Sequence, residues 1–153
     1  MISIRHAAPA DAVQWSALRV ALWPEEDARN LASEAEEFFR QPPAGLEGVL
    51  VAADTDHPEI GIVGFAELSL RVYAEGCASS PVGFLEGWYV APEYRRRGIG
   101  GALVAASENW ARDKGCVEFA SDTEIDNTLS AEAHFALGFE EAALLRCFRK
   151  DLT

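Results

Sequence analysis

Positive charge is scarce in this chain. Its 13 lysines and arginines stand against 25 aspartates and glutamates, for a formal net charge of −12 over 153 residues. Nucleic acid and anionic membrane surfaces both recruit clustered cations, so neither is an expected partner. Cysteine is scarce too: Cys77, Cys116 and Cys147 are odd in number and form no CxxC pair. That argues against a disulfide framework or a zinc site, and for small buried apolar side chains. The histidines His6, His57 and His134 lie far apart, with no HxxxH or HExxH spacing, so no metal is expected. No apolar run approaches the roughly 20 residues that span a bilayer. "MISIRHAAPADAVQW" lacks the basic flank and apolar stretch of a signal peptide. A soluble, cytoplasmic protein is the expectation.

What is present is an ordinary globular composition, with 49% hydrophobic residues, and a length that fits one domain across residues 1–153. "ISIRHA" alternates like a first strand. Ala12, Val13, Leu18, Leu22 and Trp23 recur near helical spacing between Pro9 and Pro24, and "ARNLASEAEEFFRQPP" predicts a second helix. "GVLVAAD" and "IGIVGFAELSLRVY" predict two strands joined by "DTDHPE"; after the loop "EGCASSPVG", "FLEGWYVAP" predicts a third, stopped by Pro92. "GIGGALVAASENWARDKG" predicts a helix with Leu103, Ser107 and Trp110 on one face, ending at Gly115. "CVEFASDT" reads as a strand, "NTLSAEAHFALG" as a short helix, and "FEEAALLRCFRKDL" as a final strand or pair of strands. The result is a mixed α/β (α+β) order, β-α-α-β-β-β-α-β-α-β(-β).

The few cations concentrate in "PEYRRRGIGGALV", from Pro92 to Val104. A glycine-rich turn between strand and helix gathers backbone N–H groups at the positive end of a helix, which suits an anion. Gly98, Gly100 and Gly101 let the backbone approach, the Ile99 amide joins them, and Arg95, Arg96 and Arg97 add charge-assisted bonds. A Walker loop would end in Gly-Lys-Ser/Thr, and a dinucleotide fingerprint would place glycine where Leu103 stands. Both fail. On its own the segment also reads as a glycine helix start beside a solvated basic cluster.

The order strand–Pro–x–Tyr–Arg–x–x–Gly–x–Gly–helix resembles the acetyl-CoA site of the GCN5-related N-acetyltransferases, whose Arg/Gln-x-x-Gly-x-Gly/Ala signature falls on Arg95, Gly98 and Gly100. The resemblance implies that family's fold, a mixed and mostly antiparallel central sheet flanked by helices. It also implies acetyl-CoA as co-substrate, no metal, and pantetheine pairing along Trp88, Tyr89 and Val90. Asn127 begins the family's Asn-x-x-Ala/Ser segment, and Gly138-Phe139 closes it. His134 departs from the pattern, because the family usually places there the tyrosine that protonates the departing thiolate. A histidine can donate a proton near neutral pH; it can equally pack its helix onto the sheet.

Four further segments, Leu22–Pro24, Gly76–Pro81, Phe84–Gly87 and Ala120–Thr123, look like the subgroup that acetylates the 6'-amine of aminoglycoside antibiotics and confers resistance. That resemblance carries Trp23, Tyr73, Glu86, Asp122, Glu140 and Glu141 onto the acceptor side of the cleft, and implies a homodimer in which an acidic residue near Gly138-Phe139 reaches the neighbour's site. Phe148 stands where relatives often have tyrosine. A polycationic acceptor needs carboxylates, and its amine attacks only when neutral. Glu86 is the first choice of base, with Asp122 sharing the roles of base and anchor. Acetylation of a polyamine or protein N-terminus, and a non-catalytic acetyl-CoA-binding module, are the alternative readings.

Overall fold

The computed structural model describes residues 1–153. Strand β1 (Ile2–His6) passes through one 3-10 turn at Pro9–Asp11 into helix α1 (Ala12–Leu22), followed by α2 (Ala28–Phe38). Arg5 clamps that turn with a two-pronged ion pair to Asp11 at 2.7 and 2.9 Å. Pro24 closes off α1, and the Asp27 side chain caps α2 by accepting from the amides of Arg29 and Asn30. Strands β2 (Gly48–Asp54), β3 (Ile62–Arg71) and β4 (Val82–Val90) follow, then α3 (Ile99–Asp113), β5 (Phe119–Ser121) and α4 (Thr128–Ala136).

The sheet runs β1-β2-β3-β4-β5, antiparallel throughout except for the parallel β4–β5 pair. Alternation along β2 divides the core. Leu50 and Ala52 face Leu103, Val104 and Trp110 of α3, while Val49 and Val51 face Trp15 of α1 and Ala35 of α2. Each fully buried large apolar side chain contributes roughly 1.5–3 kcal/mol. The predicted face of α3 is correct: Leu103, Ser107 and Trp110 are all buried.

Two expectations fail. The β5 strand spans three residues rather than all of "CVEFASDT". The C-terminal strand does not form: residues 139–153 have no regular structure. A strand needs a neighbour on which to satisfy its amides, and this segment pairs with none of its own chain, leaving Leu144, Leu145, Phe148 and Leu152 exposed. The cysteine expectation holds only for Cys116, since Cys77 is half-buried and Cys147 exposed. No helix is long and apolar enough to cross a membrane.

Candidate active site

The site begins with a bulge. Glu67 lies opposite Gly87 and Leu68 opposite Leu85, so Glu86 is an extra residue in β4. Such a residue re-aims the strand beyond it. Before the bulge, the Gly83 amide donates toward β5, to the Glu118 carbonyl; beyond it, the Ala91 amide donates the other way, to Val63 of β3. Successive amides on a strand face opposite edges, so the Val90 N–H faces away from β3. Pairing with β5 stops at Leu85–Ser121. The edge of β4 from Glu86 to Val90 therefore has no strand beside it, and the sheet splits there.

A cradle of N–H groups lies at the end of that edge. The chain turns through Pro92–Tyr94 and enters α3 at Gly98, whose φ of 77° lies in the left-handed region. An added Cβ at Gly98 would meet nothing within 4 Å, so backbone conformation, not space, selects glycine. Ala102 makes the first helical bond, to the Gly98 carbonyl, which leaves the amides of Ile99, Gly100 and Gly101 without a helical acceptor. The Trp88 indole donates to the Gly100 carbonyl at 3.2 Å and clamps this turn against β4. Tyr89 faces the other side of the sheet, tilted against Phe65.

The three arginines have different tasks. Arg95 donates from Nε to the Val90 carbonyl at 2.8 Å and lies over the Tyr89 ring. Arg97 bonds the Glu93 carbonyl and covers Tyr94. Arg96, with φ of 61°, is exposed and makes no hydrogen bond or ion pair within the chain.

Across the split the surface is acidic. Glu86 accepts from Ser69 Oγ at 2.5 Å and from Arg71 Nε and Nη2, both at 2.9 Å. The Arg71 guanidinium lies across Phe84, 3.5 Å from the ring centroid. Asp122 directly follows Ser121, the last residue of β5 paired with β4, and is exposed. Trp23 covers Gly87, where an added Cβ would sit 2.7 Å from its ring. Tyr73 is exposed, and Glu75 beside it holds the phenol above its usual range. Glu140 and Glu141 are exposed in the unpaired tail.

The loop before β4 is held by Glu118, which accepts from the Ser79 hydroxyl and from the amides of Ser79 and Ala78. Those bonds, the hydroxyl's first, hold the Glu118 carboxyl below its usual range. Burial, and then Glu118 itself, push the Cys77 thiol up, which makes it a poor nucleophile.

Helix α4 closes the other side. The Asn127 side chain caps it, accepting from the Ser130 amide at 3.1 Å. His134 Nδ1 donates to the Ser130 carbonyl at 2.6 Å, and Nε2 meets Ser121 Oγ at 2.8 Å. Its ring stands edge-on to Trp88 and Phe139. Both nitrogens are thus engaged in tying α4 to β5 at the foot of the split. Ser69, Arg71 and Ser121 escape the sequence reading. The i, i+2 spacing of Ser69 and Arg71 puts them on one strand face, and the antiparallel register sets Phe84 opposite Ser69, so alternation along β4 puts Glu86 on that face too.

The model of the Acetyltransferase (GNAT) family matches residues 12–139. An aminoglycoside N(6')-acetyltransferase type 1 of Klebsiella aerogenes is 48% identical over 149 residues, covering 97% of this chain and 96% of its own. The enzyme of the same name from Stenotrophomonas maltophilia is 45% identical, covering 98% and 94%. Among solved structures, AAC(6')-Iy in complex with the bisubstrate analog CoA-S-monomethyl-acetylneamine superposes with a TM-score of 0.87 at 38% identity, over 99% of both chains. AAC(6')-Ih from Acinetobacter baumannii gives 0.85 at 36% identity over 100% of both.

Proposed function

The chain belongs to the acetyltransferase (GNAT) family, and from that premise we propose that it transfers the acetyl group of acetyl-CoA to the 6'-amine of aminoglycosides and so confers resistance to them. The observation that carries this reading is the one strand, β4, with a carboxylate at its bulge and an unpaired edge leading to an anion cradle. Relatives named for this activity align over nearly the whole chain.

Acetyl-CoA supplies an activated acyl group. The amides of Gly98, Ile99, Gly100 and Gly101, with Arg96, suit its pyrophosphate. The open edge at Trp88–Val90 suits the amides of its pantetheine arm, and Asn127 contributes by fixing the start of α4. Arg95 and Arg97 shape the turn. On the acceptor side, Glu86 and Asp122 meet the cationic sugar, Trp23 and Tyr73 wall it, and Glu140 and Glu141 extend the acidic field from the tail.

The amine attacks only as the neutral base, and deprotonating a lysine-like amine at pH 7 costs roughly 4.6 kcal/mol. Glu86 Oε1 already accepts two hydrogen bonds, an arrangement built to hold a cation. The proton therefore leaves through water to Asp122, which is open to solvent. Nitrogen bonds to the acetyl carbon as the carbon–sulfur bond breaks, and the Val90 N–H offers the acetyl oxygen a donor. Water returns a proton to the thiolate. His134, bound at both nitrogens, holds α4 to β5 beside the reaction.

The test is a thiol-release assay over an aminoglycoside panel that includes a member with hydroxyl in place of the 6'-amine. Turnover is expected with the amines and none with that member. Faster turnover of a polyamine or an N-terminal peptide would overturn the acceptor assignment, and binding of acetyl-CoA without thiol release from any amine would leave only a binding module.

The working unit is a homodimer. An unpaired tail bearing Leu144, Leu145, Phe148 and Leu152 and a sheet ending in the short β5 are present in one chain, and the tail of one copy complements the edge of another. Sedimentation velocity is expected to give a dimer, and Leu145→Asp with Phe148→Asp to give a monomer; a wild-type monomer at micromolar concentration would refute this. A cytoplasmic location fits the use of acetyl-CoA.

A further inference from the structure

The carboxylate assigned above to the acceptor's ammonium is paired to another cation in the free chain. Arg71 grips both oxygens of Glu86 at 2.9 Å. It reaches there along the sheet, since its own register partner is Val82, and it crosses the Phe84 ring on the way. The pair is accessible, with the side chains 40% and 27% exposed for Arg71 and Glu86.

We propose that Arg71 is a specificity-determining residue of the acceptor cleft, an internal cation that occupies Glu86 until a sufficiently cationic amine displaces it. The inference rests on the acceptor reading given above. Three observations separate this from a positioning role. Ser69, almost fully buried, holds Glu86 independently through the 2.5 Å bond to Oε1, so the carboxylate keeps an anchor when the guanidinium leaves. The guanidinium already lies over the Phe84 face while it pairs with Glu86, so its cation–π contact remains when an acceptor cation takes its place on the carboxylate. Finally, no other lysine or arginine pairs with Glu86, so the exchange involves one cation. Binding then becomes an exchange of one cation for another. A monocation of low charge gains little from the exchange, whereas a polycation that also reaches Asp122 gains more. The latch selects for charge.

Steady-state acetylation of an aminoglycoside and of spermidine at several salt concentrations tests the proposal, with thermal melts to establish folding. Arg71→Met is expected to lower KM for the cationic amine about fivefold, the effect of removing a half-exposed competing pair, with a smaller change in kcat. It should also steepen the rise of KM with salt, because one more uncompensated carboxylate faces the substrate. Arg71→Lys, which keeps the cation, should behave like the wild type. An unchanged or raised KM in Arg71→Met would overturn the latch and leave Arg71 as a support for Glu86. If Arg71→Met does not fold, Arg71→Gln carries the same comparison. A wild type that acetylates spermidine and no aminoglycoside would refute the acceptor reading while the KM comparison on spermidine still decides the latch. Turnover of neither amine would overturn both.

Discussion

Arg19→Met is expected to lower the unfolding free energy by about 3–5 kcal/mol, read as a fall in the denaturant midpoint at constant slope. Arg19 and Glu67 are 4% and 3% exposed. They meet through Nε–Oε1 at 2.6 Å and Nη2–Oε2 at 3.3 Å. The guanidinium also donates to the Leu31 carbonyl at 2.8 Å, reaches Glu34 at 3.0 Å, and lies between the Trp15 and Trp23 rings. One side chain thus joins α1 to α2 and to β3, beneath the tryptophan that covers Gly87.

Methionine would leave Glu67 with a single donor, the Trp15 indole at 2.9 Å. Burial pushes the Glu67 carboxyl up, and Arg19 is what opposes it. Without Arg19 the folded value stands further above the unfolded one, so the variant's deficit is small in acid, where both states are protonated. It grows as pH rises past the wild type's raised folded value toward the variant's still higher one. Chemical denaturation at about pH 4.5 and about pH 7.5 should show the larger deficit at the higher pH. Equal deficits would mean that lost packing, not stranded charge, dominates. Replacing both partners by methionine should restore much of the loss.

Periodicity and punctuation made most elements legible. Alternation in "ISIRHA" and the proline stops around α1 needed no tertiary information. The anion cradle was legible for the same reason, because its amides, its glycines and Arg96 are neighbours in sequence. The bulge was not. Nothing local in "FLEGWYV" says that Glu86 is supernumerary; that depends on Glu67 and Leu68 of β3 being set opposite Gly87 and Leu85. The Ser69–Arg71–Glu86 cluster depends on the register that sets Ser69 opposite Phe84, which the sequence does not carry either. His134 shows a different limit: its departure from the family's tyrosine was visible, but its partners are a carbonyl one helical turn back and a serine on β5. The tail reads as strand from its composition and has no strand to pair with, since composition specifies a propensity and not a partner.

Glu86→Gln should have the larger kinetic effect, about a hundredfold loss in kcat/KM for the aminoglycoside with the KM for acetyl-CoA little changed. Two changes act together. The substitution removes the anion that receives the ammonium, and it releases Arg71 from its only carboxylate. A cleft that presented a neutralised pair then presents a net positive charge to a polycation. Glutamine keeps the size and the Ser69 contact, so the loss is electrostatic and should appear chiefly in KM. Adding Arg71→Met to Glu86→Gln removes the unmasked cation and should recover part of the loss, making the two substitutions non-additive as contacting residues are. A fall confined to kcat, unaffected by Arg71→Met, would instead make Glu86 the proton acceptor and return Asp122 to the role of anchor.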